Sequence, residues 1–175
     1  MPFDCVMLCG GAYEAVKKSA QGFSLIELLI VVAIILIIAA IAIPNLLRSR
    51  IAANQASAVG SLRTLSTAEI TYLSTYNVGF TATLSYLAPP AGAANPTSTA
   101  AGLIDSVLAL GSKSGYSFTY SPGASDSTGR IYTYSFTAVP ITSSTGTNRY
   151  FTDQSGVIRQ NSTTTAGSTD SPIGG

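Results

Sequence analysis

The chain has 175 residues, a formal net charge of +1 and only 10% charged residues. This balance does not favour a nucleic-acid-binding protein or an enzyme that acts on acidic substrates. Histidine, the commonest general base and metal ligand, is absent, so most hydrolase and metal-site hypotheses lose support. We therefore expect no enzymatic activity, no cofactor and no metal site in a chain with room for one modest domain and a long helix.

Both cysteines, Cys5 and Cys9, precede Gly22. Their spacing could represent half of a metal site, but the chain offers no further cysteine or histidine to complete one. If residues 1–22 form a cleaved leader, the mature chain contains no thiol. We then expect the rest of the molecule to be held by burial and hydrogen bonds, without a disulfide.

An almost unbroken apolar run follows Gly22 and Phe23 and continues to Ile43 and Pro44. Its residues 28–47 include no charged side chain. At ~1.5 Å per residue, a helix of this length spans ~30 Å, which is the thickness of a bilayer core. The run predicts a membrane-spanning helix. The two lysines before it and the two arginines after it do not decide its orientation.

One carboxylate, that of Glu27, lies near the start of the apolar run. A charged group within a membrane-length apolar segment is costly and is more often functional than incidental. If the chain is cleaved before Phe23, this residue carries an α-amino group with a pKa near ~8, which is cationic at neutral pH. The amine lies about one helical turn from Glu27 and could pair with the carboxylate of its own copy or of a neighbour. The alternative is that Glu27 reaches the membrane edge and stays hydrated.

The spacing of Gly22, Phe23, Glu27 and Pro44 resembles the N-terminus of type IV prepilins, over about residues 17–47. The resemblance implies that a membrane peptidase cuts after Gly22 and that the new N-terminal Phe23 is methylated. It also implies that a pair between Glu27 and an amine sets the stagger of subunits in a filament. Processing is thus assigned to Gly22 and Phe23, and assembly to Phe23, Glu27 and Pro44. The alternatives are secretory cleavage after the apolar run, at its Ala-x-Ala sequence, and an uncleaved anchor.

Pro44 interrupts the predicted helix, because proline has no amide hydrogen and its ring crowds the preceding turn. In type IV pili, the segment before the matching proline is thought to lose helical structure when subunits pack. The corresponding segment here is residues 36–43. The alternative interpretation is a simple bend at the membrane surface.

Behind Pro44 the pattern predicts an amphipathic half of the helix over residues 48–77. Apolar side chains recur at spacings near three and four, and several alanines favour a helix. A helix from Phe23 to Tyr76 would be ~80 Å long, so half of it must lie in lipid or among copies of itself. The charged residues assigned to its solvated faces are Arg48, Arg50, Arg63 and Glu69.

Residues 78–160 are rich in Ser, Thr, Gly, Ala and Pro and predict a globular head. Residues 84–96 predict an irregular connection, because two adjacent prolines exclude a helix there. A short helix is predicted over residues 103–110, with an aspartate in its first turn and a glycine behind it. Alternating aromatic and hydroxyl residues and a good hairpin turn predict four strands, at 116–120, 131–137, 150–152 and 157–159.

Short connections between these strands predict an antiparallel meander, whose apolar face would cover the outer half of the long helix. The fold class is α+β. It matches the type IV pilin fold, in which a long N-terminal helix packs on a four-stranded antiparallel sheet. The aromatic residues of the first strand are expected in the core rather than in a ligand site. The segment Asp126 to Gly129 is expected to form a turn rather than a metal site.

The last segment, residues 161–175, is rich in Ser, Thr and Gly. We expect it to be solvated and partly disordered. Its Asn161-Ser162-Thr163 sequence fits an N-glycosylation pattern, which is a weak motif beside the simpler interpretation of a mobile polar tail.

The resemblance implies the precursor of a type IV pilus subunit, with a leader 1–22 and a transmembrane and assembly helix 23–47. Such a subunit is stored as a single-pass protein of the bacterial inner membrane and then polymerises into an extracellular filament for adhesion, motility or DNA uptake. The implied partners are other copies of itself, a prepilin peptidase, an inner-membrane assembly platform and, before assembly, membrane lipid. No nucleic-acid site is evident. The alternatives are a pseudopilin of a type II secretion system and an anchored surface-binding protein that never polymerises.

Overall fold

The computed structural model describes residues 22–92 and 94–174. The chain divides into two compact units, with the boundary between Ile41 and Ala42. Helix α1, Leu25–Tyr76, crosses this boundary. Residues 1–21, which hold both cysteines, lie outside the described residues, so the leader and its cleavage stay predictions.

In the first unit, the described residues form a short extended segment and the apolar part of α1. Residues 22–24 are not helical, and α1 begins at Leu25. Every large apolar side chain from Leu25 to Ile41 is 45–80% exposed, and the most apolar part of α1 has a mean hydropathy of 3.3. A helix that is apolar on all sides must be covered by lipid or by other helices. Among the described residues, α1 is the one helix long and apolar enough to cross a membrane.

The second unit contains the remainder of α1 and the head. The helix is exposed on all sides through Arg50, and it buries one face from Ala58 to Tyr72. The buried positions recur every three or four residues, as expected for one face of a helix. They share one hydrophobic core with residues of the sheet. The predicted amphipathic character is thus confirmed for this part of α1.

The head contains a five-stranded antiparallel sheet in the order β1-β2-β3-β4-β5. Its strands are β1 Ser112–Lys113, β2 Tyr116–Pro122, β3 Tyr134–Pro140, β4 Arg149–Asp153 and β5 Arg159–Asn161. Strands consecutive in the chain are neighbours in the sheet, so the predicted meander is confirmed. In β2, β3 and β4, buried residues alternate with more exposed ones, because successive side chains point to opposite faces of a sheet.

The sheet has one strand more than predicted. Strand β1 is only two residues long, and it returns into β2 through Ser114 and Gly115. Both have positive φ, 51° and 75°, as a two-residue hairpin turn requires. Such a short strand carries no periodic pattern, and the Ser-Gly pair was its one readable signal.

Several elements differ in extent from the prediction. The strand predicted at 131–137 lies at Tyr134–Pro140, and the strand predicted at 157–159 lies at Arg159–Asn161. Helix α2 covers only Ser106–Ala109, and Asp105 caps it by accepting a hydrogen bond from the Leu108 N–H at 2.8 Å. A short 3-10 helix, Leu84–Leu87, lies within the segment predicted to be irregular. Both helices are single turns, which sequence periodicity defines poorly.

The aromatic residues of the sheet lie mainly in the core. Tyr116 and Phe136 are fully buried and Phe118 is nearly so. The ring of Tyr120 lies 4.8 Å from that of Phe136, and Phe80 lies 4.7 Å from Tyr134 in an edge-to-face arrangement. Such pairs stabilise a core beyond their burial alone. The prediction that the stripe of β2 packs in the core is confirmed.

The C-terminal segment is not a detached polar tail. It runs back beside β5, where the Gln160 N–H donates to the Ser171 carbonyl at 3.0 Å. The Asp170 carboxylate accepts hydrogen bonds from the Asn161 amide at 2.9 Å and the Gly167 N–H at 2.8 Å. Ala166 is buried between these contacts. The expectation of partial disorder was wrong, because composition does not reveal the partners of a single aspartate.

Replacing Asp170 with alanine should lower the free energy of unfolding by about 1–3 kcal/mol, because two donors lose a charged acceptor. Thr169→Ala is the matched control: its side chain is exposed and should change the value by less than ~0.5 kcal/mol. Denaturant unfolding of the mature-length protein in detergent, with and without a thiol reductant, measures both effects. Equal values for the two variants, or a large effect of the reductant, contradict this account.

Candidate processing and assembly site

The predicted cleavage point lies outside the helix. Gly22 and Phe23 precede the first turn of α1, and Phe23 is 88% exposed. A Cβ placed on Gly22 would meet no other heavy atom within 4 Å. Among the described residues, no contact therefore requires a glycine at this position.

Glu27 contacts the backbone at the start of its own helix. Its Oε2 accepts a hydrogen bond from the Ser24 N–H at 2.9 Å, and the Leu28 N–H donates to the Ser24 carbonyl at 3.2 Å. A serine followed three residues later by a glutamate is a capping-box pattern, which satisfies amides left free at a helix start. The motif was readable as Ser24-Leu25-Ile26-Glu27, and the sequence interpretation missed it.

The capping hydrogen bond fixes the position of the Glu27 carboxylate at the start of α1. The carboxylate lies at the positive end of the helix dipole, where an anion is favoured. The Glu27 carboxylate is also directed toward the segment that contains Phe23, which directly precedes Ser24. Pairing between Glu27 and a Phe23 amine, of the same copy or of another, stays a prediction.

Pro44 lies inside α1, which is assigned as continuous from Leu25 to Tyr76. The predicted opening of residues 36–43 concerns packed subunits, and in the single chain these residues are helical. Pro44 cannot donate the hydrogen bond that would reach the Ala40 carbonyl. Its part in assembly stays a prediction.

Glu69 was assigned to a solvated face, and this assignment was wrong. The side chain is fully buried. Its carboxylate accepts hydrogen bonds from the Thr81 N–H at 3.0 Å and the Thr81 hydroxyl at 2.6 Å. The helical spacing from Leu62, Leu65 and Tyr72 places position 69 on the buried face. Periodicity therefore predicts its burial correctly, whereas the residue type alone suggests exposure. Arg48, Arg50 and Arg63 are exposed as predicted.

The Asp126 loop is a turn, as preferred from sequence. One oxygen, Oδ1, accepts bonds from the Thr128 N–H at 2.8 Å, the Thr128 hydroxyl at 2.7 Å and the Arg130 N–H at 2.9 Å. These bonds, first that of the Thr128 hydroxyl, lower the pKa of Asp126 below its usual value. In residues 22–92 and 94–174, no cluster of three His, Cys, Asp or Glu side chains could hold a metal ion.

Comparison with known proteins gives matches at the N-terminus. Residues 17–43 match the family described as the prokaryotic N-terminal methylation motif. The chain is 65% identical over 37 residues to the type IV wide pilus major component PilA4 of Thermus thermophilus, which is 21% of this chain and 28% of the relative. It is 50% identical over 54 residues to the type IV major pilin protein PilA of Myxococcus xanthus, 31% of this chain and 24% of the relative.

The chain thus matches about a quarter of the length of these curated relatives, and no solved structure matches it. Most of the chain lies outside these matches, so the description of the head depends on its own architecture. That architecture is a long N-terminal apolar helix packed, in its outer part, on an antiparallel sheet. The N-terminal methylation motif, the exposed apolar helix and the α+β head together support a type IV pilin.

Proposed function

We propose that this chain is the precursor of a structural subunit that polymerises into an extracellular type IV pilus. The observation that carries the proposal is the exposed apolar half of α1, which has one carboxylate near its start and overlaps the matched motif at residues 17–43. Both relatives are named as major components of type IV pili. These names favour a pilus over a secretion pseudopilus, and a structural role over an enzymatic one.

The apolar half of α1 has two possible coverings in the life of such a subunit. Before assembly it lies in the lipid of the inner membrane, with the head outside. In the filament it packs against the same helices of other copies. Lipid tails are as apolar as leucine side chains, so the transfer gains little hydrophobic free energy. Packing, hydrogen bonding and work from an inner-membrane assembly platform must therefore supply the driving force.

Glu27 then has two alternative partners. In the single chain its carboxylate accepts the Ser24 N–H. Among packed apolar helices an uncompensated carboxylate costs several kcal/mol. The Phe23 amine of a neighbouring copy offsets this cost only when the helices have the correct stagger. Glu27 would thus fix the register of the filament. If it instead stays hydrated at the membrane edge, it has no such role.

Pro44 completes the proposed assembly site. The missing amide hydrogen weakens the helix locally by up to ~3 kcal/mol. Residues 36–43 could therefore open at a lower cost than a proline-free helix. Such opening would let neighbouring helices pack closely around the filament axis. The simpler role is a bend where the chain leaves the bilayer.

Processing should remove residues 1–22 in the membrane and leave Phe23 as a methylated N-terminus. A bulky replacement, Gly22→Leu, should leave uncut precursor, since glycine suits a narrow cleavage site and the single chain does not itself require it. Ile43→Leu, which leaves the motif intact, is the control. Immunoblots of membrane fractions separate the two lengths of chain. Normal cleavage of Gly22→Leu would refute the assignment of the cleavage point.

Glu27→Ala should give normal amounts of membrane protein but few or no filaments, because the neighbouring amine loses its partner. Ile26→Ala is the control, since it shortens an adjacent apolar side chain and keeps the carboxylate. Filament counts by electron microscopy, with membrane levels by immunoblot, measure both effects. Wild-type filament number and length for Glu27→Ala would rule out the charge pair and favour the hydrated carboxylate.

A further inference from the structure

A buried carboxyl group ties α1 to the chain that leaves it. Glu69 is 0% exposed and lies two turns before the end of the helix. Its two oxygens separately accept the N–H and the hydroxyl of Thr81, at 3.0 and 2.6 Å. Thr81 is also 0% exposed. The contact thus closes a loop of twelve residues in the interior of the head.

The same loop is held by three further contacts, one of which is the hydrogen bond that the Arg130 guanidinium donates to the Asn77 carbonyl at 2.7 Å. The Tyr120 hydroxyl of β2 donates to the Thr81 carbonyl at 2.6 Å. The Phe80 N–H donates to the Ile131 carbonyl at 2.8 Å. Thr81 therefore joins α1 to the sheet, and Glu69 supplies the helix side of this connection.

Within residues 22–92 and 94–174, no salt bridge offsets a charge on Glu69. Three phenols lie near enough to interact electrostatically with it: Tyr72 of α1, Tyr120 of β2 and Tyr134 of β3. The one salt bridge within the described residues joins Lys113 to Asp105. Burial raises the pKa of Glu69 above its ordinary value of 4.5, and the bonds from Thr81 offset this only in part.

We propose that Glu69 is a pH-sensitive latch that holds residues 77–83 against the sheet while its carboxyl is neutral and releases them as it ionises. The charged form can recover hydration only if the loop opens and water reaches the carboxylate. The proposal concerns the head alone, and it does not depend on the proposed role in a pilus.

The sign of the pH dependence follows from the direction of the pKa shift. A carboxyl whose pKa is raised in the closed state binds more protons there than in the open state. Its stabilising contribution is complete below pH 4.5 and falls as the pH rises through the closed-state pKa. Between these two pKa values the opening constant should rise by up to about tenfold per pH unit.

The other carboxyl groups and phenols of the head that have shifted pKa values titrate outside this window. The chain has no histidine. Asp105 and Asp126 have lowered pKa values, through bonds from Lys113 and Thr128 respectively, so they lose their contributions below pH 3.8. Burial raises the pKa of Tyr116 to about 12, and that of Tyr120 rises for the same reason. A change between pH 5 and 9 in the loop after α1 is assigned to Glu69 when Glu69→Gln abolishes it.

Hydrogen exchange tests the latch in the full chain in detergent micelles. The exchange of the Phe80 and Thr81 amides, corrected for the intrinsic effect of pH, gives the opening constant between pH 5 and 9. We expect opening to increase with pH in the wild type and to be independent of pH in Glu69→Gln, which cannot ionise. Asp126→Asn, which alters an exposed carboxylate, should retain the wild-type slope.

A flat wild-type profile, or an equal slope in Glu69→Gln, would overturn the proposal. If Glu69→Gln does not fold, the ¹³C resonance of the Glu69 carboxyl in the wild type decides the question. Its midpoint should lie above pH 4.5 and coincide with the rise in loop opening. A midpoint at or below 4.5, or one that differs from that of opening, would refute the latch.

Discussion

The fold depends on one constraint: α1 carries more apolar surface than the described residues cover. From Ala58 to Tyr72 the helix buries one face in the core of the head. From Leu25 to Ile41 it is apolar on every side and exposed. Water cannot be the environment of that surface, because each large side chain left in water forfeits about 1.5–3 kcal/mol. The same helix thus organises one domain and demands a second apolar partner, which is lipid or another copy.

The head contains no cysteine. Polar contacts instead hold the chain where it leaves α1 and where its C-terminal segment lies beside β5. Glu69 and Tyr120 secure Thr81 where the chain leaves the helix. Asp170 secures the C-terminal segment beside β5. Each of these contacts joins segments that the meander alone would not bring together. Each takes the place that a disulfide could occupy. Removing a buried acceptor that has two donors is costly, because both donors then lose a hydrogen-bond partner.

The sequence predicted well the elements that have long residue patterns. It predicted poorly the features that depend on single contacts. The apolar run and the periodicity of α1 predicted a helix ending at Tyr76, which is where it ends. Alternation predicted β2 and the meander. Strand β1 escaped detection because two residues show no period. Glu69 was misjudged because its residue type suggests exposure, whereas its partner, Thr81, lies in another segment. The Ser24–Glu27 cap was local and could have been read directly.

The central claim is that this chain becomes a filament subunit after losing its leader, and mass spectrometry of sheared surface filaments tests it most directly. The account predicts that the chain is a component of the filaments, begins at Phe23 and carries a methyl group on its N-terminus. Finding filaments without this chain, while the full-length protein remains in the membrane fraction, would contradict the account.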